Sequence, residues 1–376
     1  MVNSQDYAFY VLVLAFGATI TLSILRLFKL YNFNAKHKSI LVRKFPPVGD
    51  DFSWQDTKPL PIRPFVKKKN FNVSMNLSNL VKTPQDWLLI EDTYLKQTQL
   101  RKKFTELYPN NTLLSYDNDI TTAAVKEFYE IVTNYFLTRY PQYFKYNWYN
   151  GMIKNLINDE EFPKYAKNYT PHQLILYLAA NIEEDFLILI KDDPNNHDEE
   201  YILRASVTGF PAGFDPSHGH NKPISFIHGP VPQYENRLKL SMGKFFNNLQ
   251  PKDLWVRHNW SVQTHKSYFS LDSNHGRKGE VIKQLSYDEI DFDDACFLRV
   301  ERQIFTRLPK SRANIMTVRT YLTPMKQIKA EGLGEELSRA IDSLPDDLAF
   351  YKKRAAWGEA VKQFLNKEDN FNEKVT

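Results

Sequence analysis

An α+β fold is predicted by three observations. Residues 92–182 carry apolar side chains at helical spacing, as in Ala124, Phe128, Ile131, Val132 and Phe136. After Asp185 the chain changes to short apolar or β-branched runs divided by turn-prone segments. From Glu335 it returns to helical spacing, with Leu337, Ile341 and Leu344 on one face. Twenty-six Phe, 21 Tyr and 6 Trp supply a packed aromatic core for a body of this kind.

The elements follow in order. Tyr7 to Leu25 is free of charge, long enough at helical rise to cross a hydrocarbon core, and followed by Arg26, Lys29, Lys36, Lys38, Arg43 and Lys44. No Lys or Arg precedes the run, and Leu27-Phe28-Lys29 replaces a small-residue cleavage site, so a retained anchor is expected in place of a signal peptide. The basic flank puts the body on the cytosolic side of a single-pass anchor, in the endoplasmic reticulum. Pro46, Pro47, Pro59, Pro61 and Pro64 read as an extended spacer. Helices are expected over 92–107, 121–140 and 173–182. Strands are expected over 186–191, 201–210, 254–263, 296–306 and 314–322. The Gly/Pro-rich segment 209–232 and a helix over 234–249 separate the second strand from the third, and Pro345 opens a second helix in the tail. Two strands, a helical insert and a three-stranded meander form the strand plan of a PAS-like antiparallel sheet with flanking helices, preceded here by one N-terminal transmembrane helix. The domain reading is 1–28 anchor, 29–69 basic Pro-rich spacer, 70–325 PAS-like domain with an N-terminal helical part, and 326–376 C-terminal helical region.

Charge location excludes some functions. Residues 26–69 hold eleven Lys/Arg against three Asp/Glu, which leaves residues 70–376 with a net charge of −2. No nucleic-acid surface is expected of such a body, whereas the juxtamembrane excess suits anionic lipid. Cys296 is the only cysteine, so this chain alone builds no disulfide, cysteine zinc site or iron–sulfur cluster. Glycine-rich dinucleotide and phosphate loops, the Gly-x-Ser-x-Gly elbow and His-Glu-x-x-His are absent from the sequence.

Two constellations carry chemistry. His228 ends an apolar turn ahead of Gly229-Pro230-Val231-Pro232, where a rigidly held neutral imidazole suits an iron ligand; a buried histidine bonded to a backbone carbonyl is the ordinary alternative. Period-two spacing sets Arg257 and Asn259 on one strand face, and Arg299, Glu301 and Gln303 on one face of the next. Arg319, with Thr317 and Tyr321, repeats the pattern on a third strand. Three such strands would line a pocket in which Arg pairs with carboxylates and Glu301 meets a cation. Cross-strand salt bridging on a solvated face is the alternative.

The blocks Phe210-Pro-Ala-Gly-Phe-Asp-Pro, Ile227-His-Gly-Pro-Val-Pro, Arg257-His-Asn-Trp, Arg299-Val-Glu-Arg-Gln and Arg307-Leu-Pro-Lys-Ser resemble, in order, the haem-dependent oxidative N-demethylase family. The resemblance also takes in residues 70–101, with Trp87 and Tyr94, and Glu183-Glu184-Asp185. It implies a PAS-like fold holding haem b, O₂ as oxidant, a secondary or tertiary amine as substrate, formaldehyde as product, and electrons from a separate flavin or iron–sulfur reductase. On this chain His228 becomes the candidate axial ligand. Arg257, Arg299, Arg302 and Arg319 become candidates for propionate binding or oxygen polarisation, and Glu301 for amine recognition. The anchor and spacer depart from a soluble bacterial subunit and read as a microsomal, fungal addition. Competing readings are a non-catalytic PAS-like haem or ligand sensor, a non-haem iron site using His197-x-Glu199, and a thiolate site at Cys296.

Overall fold

The computed structural model describes residues 39–42, 44–66, 74–193, 196 and 198–367. The expected anchor, Tyr7 to Leu25, lies outside the described residues. Among the described residues no helix is long and apolar enough to cross a membrane.

All five expected strands form, and they lie side by side. They are β6 (Asp185–Ile190), β7 (Ile202–Val207), β8 (Trp255–Gln263), β9 (Phe297–Arg307) and β10 (Asn314–Pro324). Two short strands, β1 (Ser78–Asn79) and β2 (Leu113–Ser115), extend them to a seven-stranded sheet in the order β1-β8-β9-β10-β6-β7-β2. Every pairing between neighbours in this sheet is antiparallel. A separate three-stranded sheet comprises β3 (Phe144–Asn147), β4 (Met152–Asn155) and β5 (Glu161–Pro163), which helical spacing gave no reason to expect.

Helices cover the main sheet from both sides. Helix α1 spans Tyr94–Leu107, α2 Asp119–Arg139 and α3 Pro171–Asn181. The α2 start is fixed by Asn118, whose side chain accepts the Thr121 N–H at 2.7 Å. Thr170 and Gln173 form a reciprocal capping box at α3, with Pro171 in the first turn. These helices bury Phe128, Val132 and Leu174 with Phe186, Ile188 and Ile304 of the sheet. Burial of each such side chain contributes about 1.5–3 kcal/mol relative to exposure. Lower on the same face lie α6 (Met325–Ala330), α7 (Gly334–Asp342), α8 (Asp346–Tyr351) and α9 (Arg354–Asn366), packed over Trp260, Leu298, Val300 and Tyr321. The C-terminal helices thus share the sheet with the rest of the body.

On the opposite face, α4 (Ile224–His228) and α5 (Lys239–Asn248) cover only the upper half, through Tyr201, Leu203, Met242, Phe246 and Phe305. The helix expected over 234–249 begins as a π-turn, Tyr234–Leu238, before α5. The tail helix opened by Pro345 stops at Tyr351 and restarts at Arg354, because Lys353 adopts left-handed backbone at φ 52°. Residues 44–66 have no helix, as their prolines predict, yet they lie against the body. Phe45 and Phe65 are buried, and Arg63 bonds Glu331 at 2.8 Å. Apolar anchors thus dock a segment that Pro content alone presents as a free spacer.

Candidate functional site

The half of the second sheet face left free of α4 and α5 holds the polar cluster. Register pairs Arg257 with Gln303, Asn259 with Glu301 and Ser261 with Arg299, so all six side chains share that face. Glu301 Oε2 accepts from Asn259 at 3.3 Å and from Gln303 at 3.1 Å, while Oε1 lies 3.7 Å from Arg299 Nε. Arg299 is fully buried and donates to Gln263 Oε1 at 3.2 Å and to the Phe210 carbonyl at 2.7 Å. Gln263 in turn holds the carbonyls of His265 and Ser267, and Asn274 donates to it. Arg299 therefore ties the 209–213 segment and the loop after β8 to the sheet.

Gly213 makes that closure feasible. Its φ is +90°, and a Cβ there would sit 2.8 Å from the Asn274 nitrogen. Asp185 caps the other end by accepting the N–H groups of Gly209 and Phe210 at 2.9 and 3.0 Å, and it pairs with buried Arg101 at 2.9 Å.

Further side chains come to the cluster from other elements. His228 ends α4, with Nδ1 3.0 Å from the Ile224 carbonyl and its ring stacked on Tyr234 at 5.2 Å. With Nδ1 engaged, Nε2 is the nitrogen left to ligate a metal. Burial lowers the His228 pKa; the Ile224 hydrogen bond opposes this, and the Arg257 charge adds to it. The imidazole is accordingly held neutral. Lys352, in the break between α8 and α9, donates to the Trp260 carbonyl at 2.5 Å and to Asn259 Oδ1 at 3.3 Å. Burial depresses its pKa to about 8, with Glu301 opposing and Arg257 assisting. His275 stacks on Tyr351 at 4.2 Å and is pushed down to about 3, first by burial and then by Lys352 and Arg299.

Arg257 is the unfinished part. Burial lowers its pKa and Glu301 counters, yet Nε is buried without a hydrogen-bond partner. An acceptor reaching Nε would complete the site. Arg257, Arg299 and Lys352 all feel the single Glu301 carboxylate, an excess of cations at one place.

The expectation that three strands bring their arginines to one face needs correction. Arg302 pairs across the strands with His258 and with Arg319, one residue out of phase with Glu301, so both arginines face the helices α1–α3 side. There Arg302 donates to the carbonyls of Trp87 and Asp86. Arg319 donates to the Leu89 carbonyl at 2.6 Å and pairs with Glu91, Glu183 and Glu184. Both arginines fasten residues 86–91 to the sheet and stand apart from His228 and Glu301. Lys352, Tyr351, His275 and Gln263 are the members that sequence reasoning missed.

Neither rival metal site gains from the geometry. Glu199 spends its carboxylate on the N–H groups of Asp192 and Asp193, and His197 lies outside the described residues. No group of three or more His, Cys, Asp or Glu stands together as a metal site among the described residues. Cys296 is buried in the C-terminal apolar cluster, and burial raises its thiol to about 12.

A family model described as haem-dependent oxidative N-demethylase, alpha subunit-like, matches residues 77–362. The chain belongs to that family. The match covers the whole seven-stranded sheet, His228, the Arg257–Glu301 cluster and Lys352. The family description names haem dependence, and the donor set fits: an imidazole with one nitrogen fixed, and a guanidinium whose buried Nε has no hydrogen-bond partner.

Proposed function

We propose that this chain is a haem-dependent monooxygenase that demethylates a secondary or tertiary amine. The observation that carries the proposal is that Arg257 shares one half-covered sheet face with Glu301 and that its charge is felt at His228. When bound, haem supplies the activation of O₂. Balanced, an N-methyl amine, O₂, two electrons and two protons yield the demethylated amine, formaldehyde and water. The electrons come from a separate flavin or iron–sulfur reductase, since one buried cysteine builds no cluster here.

His228 would hold the haem iron through Nε2, its ring oriented by the Ile224 carbonyl. Arg257 and Lys352 would receive the haem propionates, with buried Arg299 adding positive charge behind them. Two propionates would offset the positive charge around Glu301, and that carboxylate would be free to accept a hydrogen bond from the substrate ammonium. Haem b, held without thioether links, agrees with the absence of any cysteine besides Cys296. The five long strands, numbered in chain order, run 2-1-5-4-3 across the sheet, which supports the PAS-like reading. The uncharged run Tyr7 to Leu25 with its basic flank supports a single-pass anchor in the endoplasmic reticulum membrane, with this body in the cytosol.

The test is formaldehyde production. The haem-loaded full chain is supplied with a reductase, NAD(P)H and a panel of N-methylated amines. Amine-dependent formaldehyde that falls in Glu301→Gln, with the haem spectrum retained, is the expected result. A retained haem without formaldehyde from any amine overturns the enzyme reading in favour of a haem sensor.

A further inference from the structure

The small sheet carries a surface that the haem site does not use. Its first hairpin ends in the four-residue loop Trp148-Tyr149-Asn150-Gly151 between Asn147 and Met152. Trp148 is 70% exposed and Tyr149 81%, with the two rings stacked at 3.7 Å. Tyr146 and Tyr165 stand exposed beside them, and Lys164 Nζ lies over both of those rings at 4.2 and 5.0 Å.

The loop is braced from within. Gly151 N–H bonds the Asn147 carbonyl at 2.9 Å, and its φ of +73° closes the turn. Asn147 Oδ1 accepts the Tyr149 N–H at 3.0 Å, and Asn150 Oδ1 accepts the Met152 N–H at 3.0 Å. Large rings are thus presented outward on a turn whose Tyr149 and Gly151 N–H groups are already bonded, which eases contact with a less polar surround.

We propose that this tip is a membrane contact seated at the headgroup layer of an anionic bilayer. Trp and Tyr prefer that layer because their rings are apolar at one end and polar at the other. Residues 144–152 and 162–170 contain no Asp or Glu but include Lys145, Lys164 and Lys167, which complements anionic lipid. Lysine is depleted from protein–protein interfaces, so the mixture of aromatic residues and lysine favours lipid over a protein partner. The incoming chain also passes the hairpin's base. Val48 N–H bonds the Arg139 carbonyl, and Tyr143 Oη donates to the Phe52 carbonyl, both just before β3. The inference is independent of the haem reading.

Tryptophan fluorescence tests it in the full chain, because the uncharged run Tyr7 to Leu25 contains no Trp. The chain is incorporated into phosphatidylcholine–phosphatidylserine vesicles with and without bromine on the acyl chains near the headgroups. The expected result is quenching by brominated lipid that loses its larger part in Trp148→Phe and weakens when phosphatidylserine is omitted. No quenching, or equal quenching in the variant, overturns the proposal. So does lipid-free, concentration-dependent shielding of Trp148 from acrylamide, which marks a contact between copies of the chain.

Discussion

Glu183→Gln probes the most crowded charge site in the molecule. One guanidinium, Arg319, faces Glu91 at 2.8 Å, Glu184 at 3.1 Å and Glu183, all of them buried. Burial pushes Glu183 up to about 8; Arg319 opposes the shift, while Glu184 and Glu91 add to it. Glu183 therefore keeps its proton at neutral pH in the folded chain, whereas the unfolded chain releases it near 4.5, the ordinary value. Stability from this group is complete below pH 4.5 and is lost as pH rises towards 8. At its steepest the loss is about 1.4 kcal/mol per pH unit, which makes about 3 kcal/mol between pH 5 and pH 8. Glutamine mimics the protonated carboxyl and cannot ionise. Urea unfolding at pH 5, 6, 7 and 8 should show the variant gaining on the native chain by that amount as pH rises. Stability curves that run parallel across this range would refute the protonated-Glu183 account.

Other substitutions test separate parts. Arg257→Met should change the stability of the haem-free chain by no more than about 1 kcal/mol, since Arg257 Nε has no hydrogen bond to lose, while weakening haem binding about tenfold or more. A marked loss of haem-free stability in urea would contradict the view that Arg257 awaits an anion. Gly213→Ala should cost about 2 kcal/mol or more, because φ +90° and the Asn274 and His275 nitrogens leave no room for a Cβ. Lys352→Met should cost about 1–3 kcal/mol through the Trp260 carbonyl it abandons. With the Lys352 pKa depressed to about 8, the native chain gains stability from this group as pH rises above 8, so the penalty should be greater at pH 10 than at pH 7.

The five long strands were legible because each is an apolar or β-branched run between turn residues. Strand β1, the pair Ser78–Asn79, is exposed at both residues, so pairing with Val256 and Trp255 defines it instead of burial pattern. The hairpin from Phe144 to Asn155 alternates only over Phe144-Lys145-Tyr146-Asn147, too briefly to stand out from its Lys- and Asn-containing surround. The same-face grouping of Arg257, Arg299 and Glu301 follows from period two within each strand. The side taken by Arg319 does not, because it depends on the β9–β10 register set by the 308–313 turn, and a shift of one residue reverses every face. Lys352 lies in Tyr351-Lys352-Lys353-Arg354, which reads as a solvated helix face. Only the helix break at Lys353 turns Lys352 towards Trp260. The approach of His228 to Arg257 joins residues 29 positions apart and has no local signature.

The central claim is that His228 holds a haem on the half-covered face of the sheet. Its most direct test is the absorption spectrum of the reconstituted full chain, oxidised and reduced, beside His228→Ala. A Soret band at about 400 nm that shifts or vanishes in the variant, while the fold persists by circular dichroism, is the predicted result. A folded chain that stays colourless, or a band unchanged in His228→Ala, would contradict it.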